Sequence, residues 1–311
     1  MTTNRNDTAT RLRNAMADRL KREGLLSDPA IESAFRAVPR HVFAPHALLL
    51  LAYTDEALPL KREGQMWLSS ISQPSMIAMM LDQLALRAGD HVLEIGAGAG
   101  YNAALMAHII GDAGHVITID IDDDLARFAR SRLAKAGVKN VEVICADGAL
   151  GDATHAPYDR IILTVGASDI APAWRAQMKP GGRLVLPIDF ANSGYQFSIA
   201  FDKTDDCLVG RSFLPCGFIR LRGGMAVPPL ASAAPNRPPS LGEVMLGSVA
   251  QVLPNVSNQL WQRRANRAVF GRNTLAGLSL RAYPSDAGYV PAPDEISHVQ
   301  PHTRFVVHWE T

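Results

Sequence analysis

The apolar positions of this chain change period twice along its length. From Thr8 to Arg22, Leu12, Met16 and Leu20 recur at helical spacing among charges, which predicts an amphipathic helix that covers a core. A second short helix is predicted from Asp28 through Ala37, opened by Pro29 and stopped before Pro39. Between Pro39 and Pro74 no period holds, and an irregular stretch of that length in a compact protein is commonly functional. From His91 to Pro187 short apolar runs, HVLEI, HVITID, VEVIC, RIILTV and RLVLPI, alternate with helical segments. That alternation predicts an α/β fold whose parallel sheet is built from right-handed crossovers. One of its helices shows Leu125, Phe128, Ala129 and Leu133 on a single face, with Gly137 placed to close it. The runs Phe197 to Phe201 and Leu208 to Phe218 read as further strands, added antiparallel at one edge.

Composition shifts at Met225, where AVPPLASAAPNRPPS reads as a semi-rigid linker. The expected organisation is a main unit over 1–224, a Pro/Ala-rich linker over 225–240 and a small extension over 241–311. The extension carries a predicted helix from Asn258 to Phe270, with Leu260, Trp261, Arg263, Arg264 and Arg267, and a β-like end, RFVVHW. Its arginines suit the carboxylates of an acidic peptide, and its apolar residues suit packing on the main unit equally well. A length of 311 residues fits two domains, or one with an appendage.

Charge narrows the list of partners. Thirty-one Lys and Arg against 30 Asp and Glu leave a net charge of +1, so no overall field holds nucleic acid or an anionic membrane. No apolar run approaches the ~18 residues that cross a bilayer, and the N-terminus is polar. Cys145, Cys207 and Cys216 lack metal-ligand spacing and are too few for a disulfide framework, so a cytoplasmic protein is expected. His302 and His308 lie six apart without a carboxylate or cysteine partner, so no metal site is read.

The candidate chemistry begins at Val92-Leu93-Glu94-Ile95-Gly96-Ala97-Gly98-Ala99-Gly100-Tyr101, an apolar strand that runs into a glycine-rich turn and then a helix. Glycine is needed where backbone turns tightly and a ligand approaches closely. Tyr101 stands where a dinucleotide fingerprint has its final glycine, and a carboxylate at Glu94 disfavours a pyrophosphate. It suits the ammonium and sulfonium of S-adenosyl-L-methionine, which is favoured over NAD. The second strand ends in Asp120, followed by Ile121, where a carboxylate can accept from ribose hydroxyls. The third ends in Asp147-Gly148, where Asp147 can accept from an adenine amino group. Each acid taken alone also reads as a helix cap; three such strand ends on one sheet edge read as a cofactor site.

The ordered segments VPRHVFAP at 38–45, AYTDEALPL at 52–60, SSISQPSMIAMM at 69–80, VLEIGAGAGYNAALMA at 92–107, ADGALG at 146–151 and MKPGGRLVLPI at 178–188 resemble the protein-L-isoaspartate O-methyltransferase family. The resemblance spans residues 10–224 and implies a Rossmann-like class I S-adenosylmethionine-dependent methyltransferase with an N-terminal helical cap. It implies transfer of a methyl group to an aspartyl or isoaspartyl side chain of a peptide or protein, and an ester that closes to a succinimide. By similarity Ser72 is the active-site hydroxyl, flanked by Ser70 and Gln73, while Val165, Gly166 and Ala167 form a lip over the methyl donor. Ser72 also reads as a cap for the helix starting near Pro74. Three departures from the family pattern stand out: Ser70 in place of threonine, the long approach KREGQMWL at 61–68, and the extension. The wording SSISQPS and LEIGAGAGYNAA resembles an enlarged actinobacterial branch that modifies ribosomal peptides, so a dedicated peptide substrate stands beside general repair. A non-catalytic cofactor-binding module is the third reading.

Overall fold

A computed structural model describes residues 5–189, 196–204, 207–226, 274–275, 278–283 and 304–309. Three helices open the chain: α1 (Arg5–Arg22), α2 (Pro29–Ala37) and α3 (Arg40–Phe43). The start of α2 follows from its sequence, because Asp28 Oδ1 accepts from the Ala30 amide at 2.7 Å and Pro29 occupies the first turn, where a missing N–H costs nothing. The stretch expected to be irregular contains a hairpin, β1 (Leu58–Glu63) and β2 (Met66–Ile71), followed by α4 (Pro74–Leu84). Among the described residues its two strands pair only with each other, and the polar tip around Lys61, Arg62, Glu63 and Gly64 interrupts the apolar alternation that marks a strand.

The α/β core follows as β3 (His91–Ile95), α5 (Tyr101–Ile110), β4 (His115–Asp120), α6 (Asp123–Lys135), β5 (Val141–Cys145), β6 (Tyr158–Leu163), α7 (Pro172–Gln177) and β7 (Met178–Asp189). Strands β8 (Gln196–Lys203) and β9 (Cys207–Cys216) complete the hairpin series. Three more strands come from the extension: β10 (Thr274–Leu275), β11 (Leu278–Tyr283) and β12 (Arg304–Trp309). The sheet order is β10-β11-β12-β9-β8-β7-β6-β3-β4-β5. Strands β3 to β7 are mutually parallel, and β7 onward pair antiparallel. Strands β8 and β9 are the antiparallel additions expected at one edge, and the run RFVVHW is β12, which lies against β9 and extends that side of the sheet. The linker beyond Ala226 and the helix expected from Asn258 to Phe270 lie outside the described residues.

Both faces of the parallel strands are covered, which explains their nearly continuous apolar runs. Val92, Val116, Val143, Ile162 and Val185 pack with α1, α2, α4 and α5, whereas Leu93, Ile117, Ile161 and Leu184 pack with Trp174 of α7. Each such side chain contributes about 1.5–3 kcal/mol by leaving water. The closure of α6 is a Schellman motif: Gly137 sits at φ 75°, its amide donates to the Ala134 carbonyl, and the Val138 amide donates to Leu133. Among the described residues no helix is long and apolar enough to cross a membrane.

Candidate active site

Strand order reverses between β3 and β6, so the loops leaving their carboxyl ends diverge and open a crevice. The turn after β3 is one wall of it. Gly96 and Gly98 have φ of 104° and 52°, both in the left-handed region. A Cβ on Gly96 would stand 2.6 Å from Thr164 Oγ1 and 3.1 Å from Val165 Cγ1, so the two loops meet only because no side chain is there. The amides of Gly96 and Ala97 donate to the Ile119 carbonyl at 2.8 and 3.0 Å, and Thr164 Oγ1 donates to the Gly96 carbonyl at 2.7 Å. Asp120 Oδ2 accepts from the Gly98 amide at 2.8 Å and Oδ1 from the Asp122 amide at 3.1 Å. These bonds orient the carboxylate while leaving each oxygen a further lone pair. Burial raises the Asp120 pKa above the ordinary carboxylate value, against the pull of the two amides.

One cavity of about 260 Å³ brings together Gly96, Gly98, Asp120, Ile121, Gly148 and Val165 with Ser70, Ser72 and Gln73. Glu94, Ala97, Gly100, Asp147 and Gly166 do not line it. Alternation along β3 puts Glu94 on the same face as Val92, beneath α5, where it is fully buried. Its oxygens accept from Asn102 Nδ2 at 2.7 Å and Thr118 Oγ1 at 2.6 Å, so it braces the helix behind the turn. Burial pushes its pKa up to about 7. Gly100 is the N-cap of α5, and the Ala97 carbonyl accepts from its amide. Asp147 Oδ1 accepts from the Ala149 amide at 2.9 Å and Oδ2 from the Gly224 amide at 2.6 Å. Gly166 is occupied by backbone pairing with Ile219 and Leu221.

A second wall of the cavity is built on the turn between β2 and α4. Gln73, not Ser72, is the N-cap residue of α4, and it makes no side-chain cap bond. The cap comes from elsewhere: Asp55 Oδ1 accepts from the Ser75 amide at 2.8 Å and Oδ2 from Gln73 Nε2 at 3.0 Å. Ser72 is half-buried on the cavity wall, and among the described residues its hydroxyl has no hydrogen-bond partner. The hairpin supplies Trp67 and Leu68 to the same wall. Arg62 stacks over Trp67 with its guanidinium carbon 5.1 Å from the ring centroid.

Residues 217–222 close the cavity from the far side. Gln196 fixes them, its Nε2 donating to the Phe218 carbonyl at 3.0 Å and its Oε1 accepting from the Phe218 amide at 2.7 Å. Arg222 Nη2 meets Asp122 Oδ2 at 2.6 Å, and Lys61 of β1 lies 3.0 Å from the same carboxylate. Asp122 therefore links the hairpin to this closing segment, and Arg222 and Lys61 outweigh burial to hold its pKa below the ordinary value. Arg40, Asp55, Trp67, Asp122, Thr164, Gln196 and Arg222 were not singled out by sequence reasoning. Arg40 and Asp55 nevertheless lie inside the recognised segments VPRHVFAP and AYTDEALPL, which was the one available signal.

A glycine turn without the third glycine of a dinucleotide site, facing an acid at the end of the next strand over, is the arrangement of class I S-adenosylmethionine-dependent methyltransferases. The family described as Protein-L-isoaspartate(D-aspartate) O-methyltransferase (PCMT) matches residues 11–226. The protein-L-isoaspartate O-methyltransferase of Ignicoccus hospitalis is 41% identical over 199 residues, covering 64% of this chain and 92% of that one. Protein-L-isoaspartate O-methyltransferase 2 of Archaeoglobus fulgidus is 42% identical over 212 residues, covering 68% and 93%. A solved protein-L-isoaspartate O-methyltransferase superposes with a TM-score of 0.64 at 34% identity, over 68% of this chain and 67% of that one. A Plasmodium falciparum structure in complex with S-adenosyl-L-homocysteine shares the fold, with a TM-score of 0.58 at 19% identity over 67% and 97%. The chain belongs to the protein-L-isoaspartate O-methyltransferase family, and S-adenosylmethionine is that family's methyl donor. The residues present fit this cofactor: Gly96 and Gly98 put bare backbone on the cavity wall, and Asp120 lines the same cavity with acceptor capacity to spare.

Proposed function

We propose that this chain transfers a methyl group to the side-chain carboxylate of an isoaspartyl or aspartyl residue in a peptide or protein, and that the ester then closes to a succinimide. The observation that carries the reading is Ser72, whose hydroxyl has no partner among the described residues and which lines the same cavity as Gly96, Gly98 and Asp120. S-Adenosylmethionine supplies an electrophilic methyl group on a sulfonium. Asp120 would accept from its ribose hydroxyls, and Ile121 and Gly148, which line the same cavity, would help to hold it. Ser72 donates its hydroxyl hydrogen to the acceptor carboxylate, with Ser70 and Gln73 beside it. That carboxylate has an ordinary pKa near ~4 and arrives ionised, so no general base is needed. What the protein provides is alignment and a dry site, together worth up to ~7–11 kcal/mol. In the ester, the following backbone nitrogen attacks the carbonyl and methanol departs, because methoxide leaves more readily than hydroxide.

A dedicated peptide substrate is the second reading, and the hairpin favours it. Met66 and Trp67 are 60% and 36% exposed beside the acceptor wall, a surface that matches apolar neighbours of the acceptor residue. The extension, residues 241–311, is the further candidate for peptide selection. Free thiols at Cys145, Cys207 and Cys216 support a cytoplasmic location.

The test is mass spectrometry after incubation with S-adenosylmethionine and two matched peptides, one isoaspartyl and one aspartyl. Gain of one methyl by the isoaspartyl peptide, slowed in Ser72→Ala, supports general repair. Methylation confined to an aspartyl peptide of particular sequence supports the dedicated reading. No methylation of either, with cofactor still bound, leaves the non-catalytic module.

A further inference from the structure

We infer that Arg40 and Asp55 are positioning residues that bracket Ser72 from its two sides and set the direction of its hydroxyl; the inference rests on the acceptor role proposed for Ser72. Arg40 is fully buried, yet no carboxylate lies within ion-pairing distance of it among the described residues. Its partners are backbone carbonyls: Nη1 donates to Ala52 at 2.9 Å and Thr54 at 3.3 Å, and Nη2 donates to Glu56 at 2.9 Å and Ser72 at 3.1 Å. Only a guanidinium has the fork to reach four converging carbonyls at once. The cost is real, since burial lowers the Arg40 pKa.

That cost makes sense through what the fork ties together. Three of the carbonyls belong to residues 52–56, and the fourth is Ser72's own. Asp55 lies in that same segment and reaches past Ser72 to the Gln73 side chain and the Ser75 amide. Ser72 is thereby clamped on its carbonyl side by Arg40 and on the following residues by Asp55, with one short segment carrying both clamps. Burial opposes the Asp55 charge, but the Ser75 and Gln73 hydrogen bonds prevail and its pKa falls below the ordinary value. Arg19 Nη2, 3.8 Å from Oδ1, adds to this. The guanidinium carbon of Arg40 also lies 5.8 Å from the Tyr101 ring centroid, at the start of the helix that follows the glycine turn.

The experiment is a pair of double-mutant cycles on the full chain, measuring kcat and KM for an isoaspartyl or aspartyl peptide, cofactor affinity and melting temperature. Arg40→Lys keeps the cation facing Tyr101 but loses the fork, and Asp55→Ala removes the outer clamp at a less buried place. In the Ser72 background each should lower kcat on the order of 10-fold, with peptide KM and cofactor affinity within about twofold. In the Ser72→Ala background neither should lower kcat further. Equal losses in both backgrounds overturn the inference, as does a loss that follows cofactor affinity. Should Arg40→Lys not fold, Asp55→Ala decides alone. Wild-type kcat in Ser72→Ala itself overturns the acceptor role of Ser72 and this inference with it, a result distinct from non-additive losses.

Discussion

The amide of Gly98 donates to Oδ2 of Asp120 at 2.8 Å, so the residue expected to hold the cofactor's ribose also fastens the turn expected to hold its methionine end. Asp120→Ala should therefore loosen both contacts. Cofactor affinity is expected to fall by ~1.5–3 kcal/mol, measured by calorimetric titration. Asp120→Asn, which keeps one acceptor, should lose less. Wild-type affinity in the alanine variant would remove Asp120 from the ribose.

Ser72→Ala should divide rate from binding. With Ser72 on the cavity wall and Gln73 as the N-cap residue of α4, the acceptor role proposed for the hydroxyl predicts that kcat falls roughly tenfold, about 1.4 kcal/mol, while cofactor affinity holds. Single-turnover rates and calorimetry read the two quantities separately. Equal losses in both would show that the hydroxyl supports the fold and not the acceptor.

Glu94 makes stability depend on pH in a defined window. Its folded pKa of about 7 lies above the ordinary 4.5, so between those values the folded protein keeps a proton that the unfolded chain has released. Stability should fall as pH rises through that window, by about 3 kcal/mol in all, and level off above it. Glu94→Gln can accept from Asn102 and donate to Thr118, and it cannot ionise. Its melting temperature should exceed that of the wild type by a margin that opens between pH 5 and 7. A constant margin would mean Glu94 is ionised throughout.

Methyl transfer itself should stay flat from pH 6 to 8, because the acceptor needs no base and Glu94 does not line the cavity. Rate profiles for wild type and Glu94→Gln check this together. A step that persists in the variant would reveal a catalytic base.

Trp67→Ala should raise KM for the peptide by roughly 3- to 10-fold, the consequence of losing ~1 kcal/mol of apolar contact, with cofactor affinity unchanged. Peptides with and without an apolar neighbour beside the acceptor sharpen the measurement. An identical KM for both peptides, in wild type and variant alike, would take the hairpin out of recognition.

Local chemistry was legible in the sequence and long-range convergence was not. The parallel strands announced themselves because covering both faces forces runs such as HVLEI and HVITID, and Gly137 announced the end of α6 because only a left-handed residue closes a helix in that way. The surroundings of Glu94 were not legible for an equally local reason: it stands two residues before Gly96 in sequence, whereas alternation along β3 turns its side chain under α5. Arg40 shows the other limit. Its four acceptors are spread from Ala52 to Ser72, and no pattern of polarity signals that their carbonyls will meet. The hairpin at 58–71 was missed because its polar tip resembles a loop, although its cross-strand register is regular near Ile71 and Leu58.

The pairing of β12 with β9 changes what shortening the chain would do. Phe305, Val306, Val307 and His308 lie opposite Gly210, Val209, Leu208 and Cys207, so they satisfy the outer backbone groups of β9. A protein ending near Ala226 would leave that row of donors and acceptors bare, a template on which a strand from another molecule can add. Its first symptom would be self-association with rising concentration, before any change in which peptide it prefers. Residues some two hundred positions beyond the glycine turn in sequence thus cover an edge of the sheet that carries the cavity.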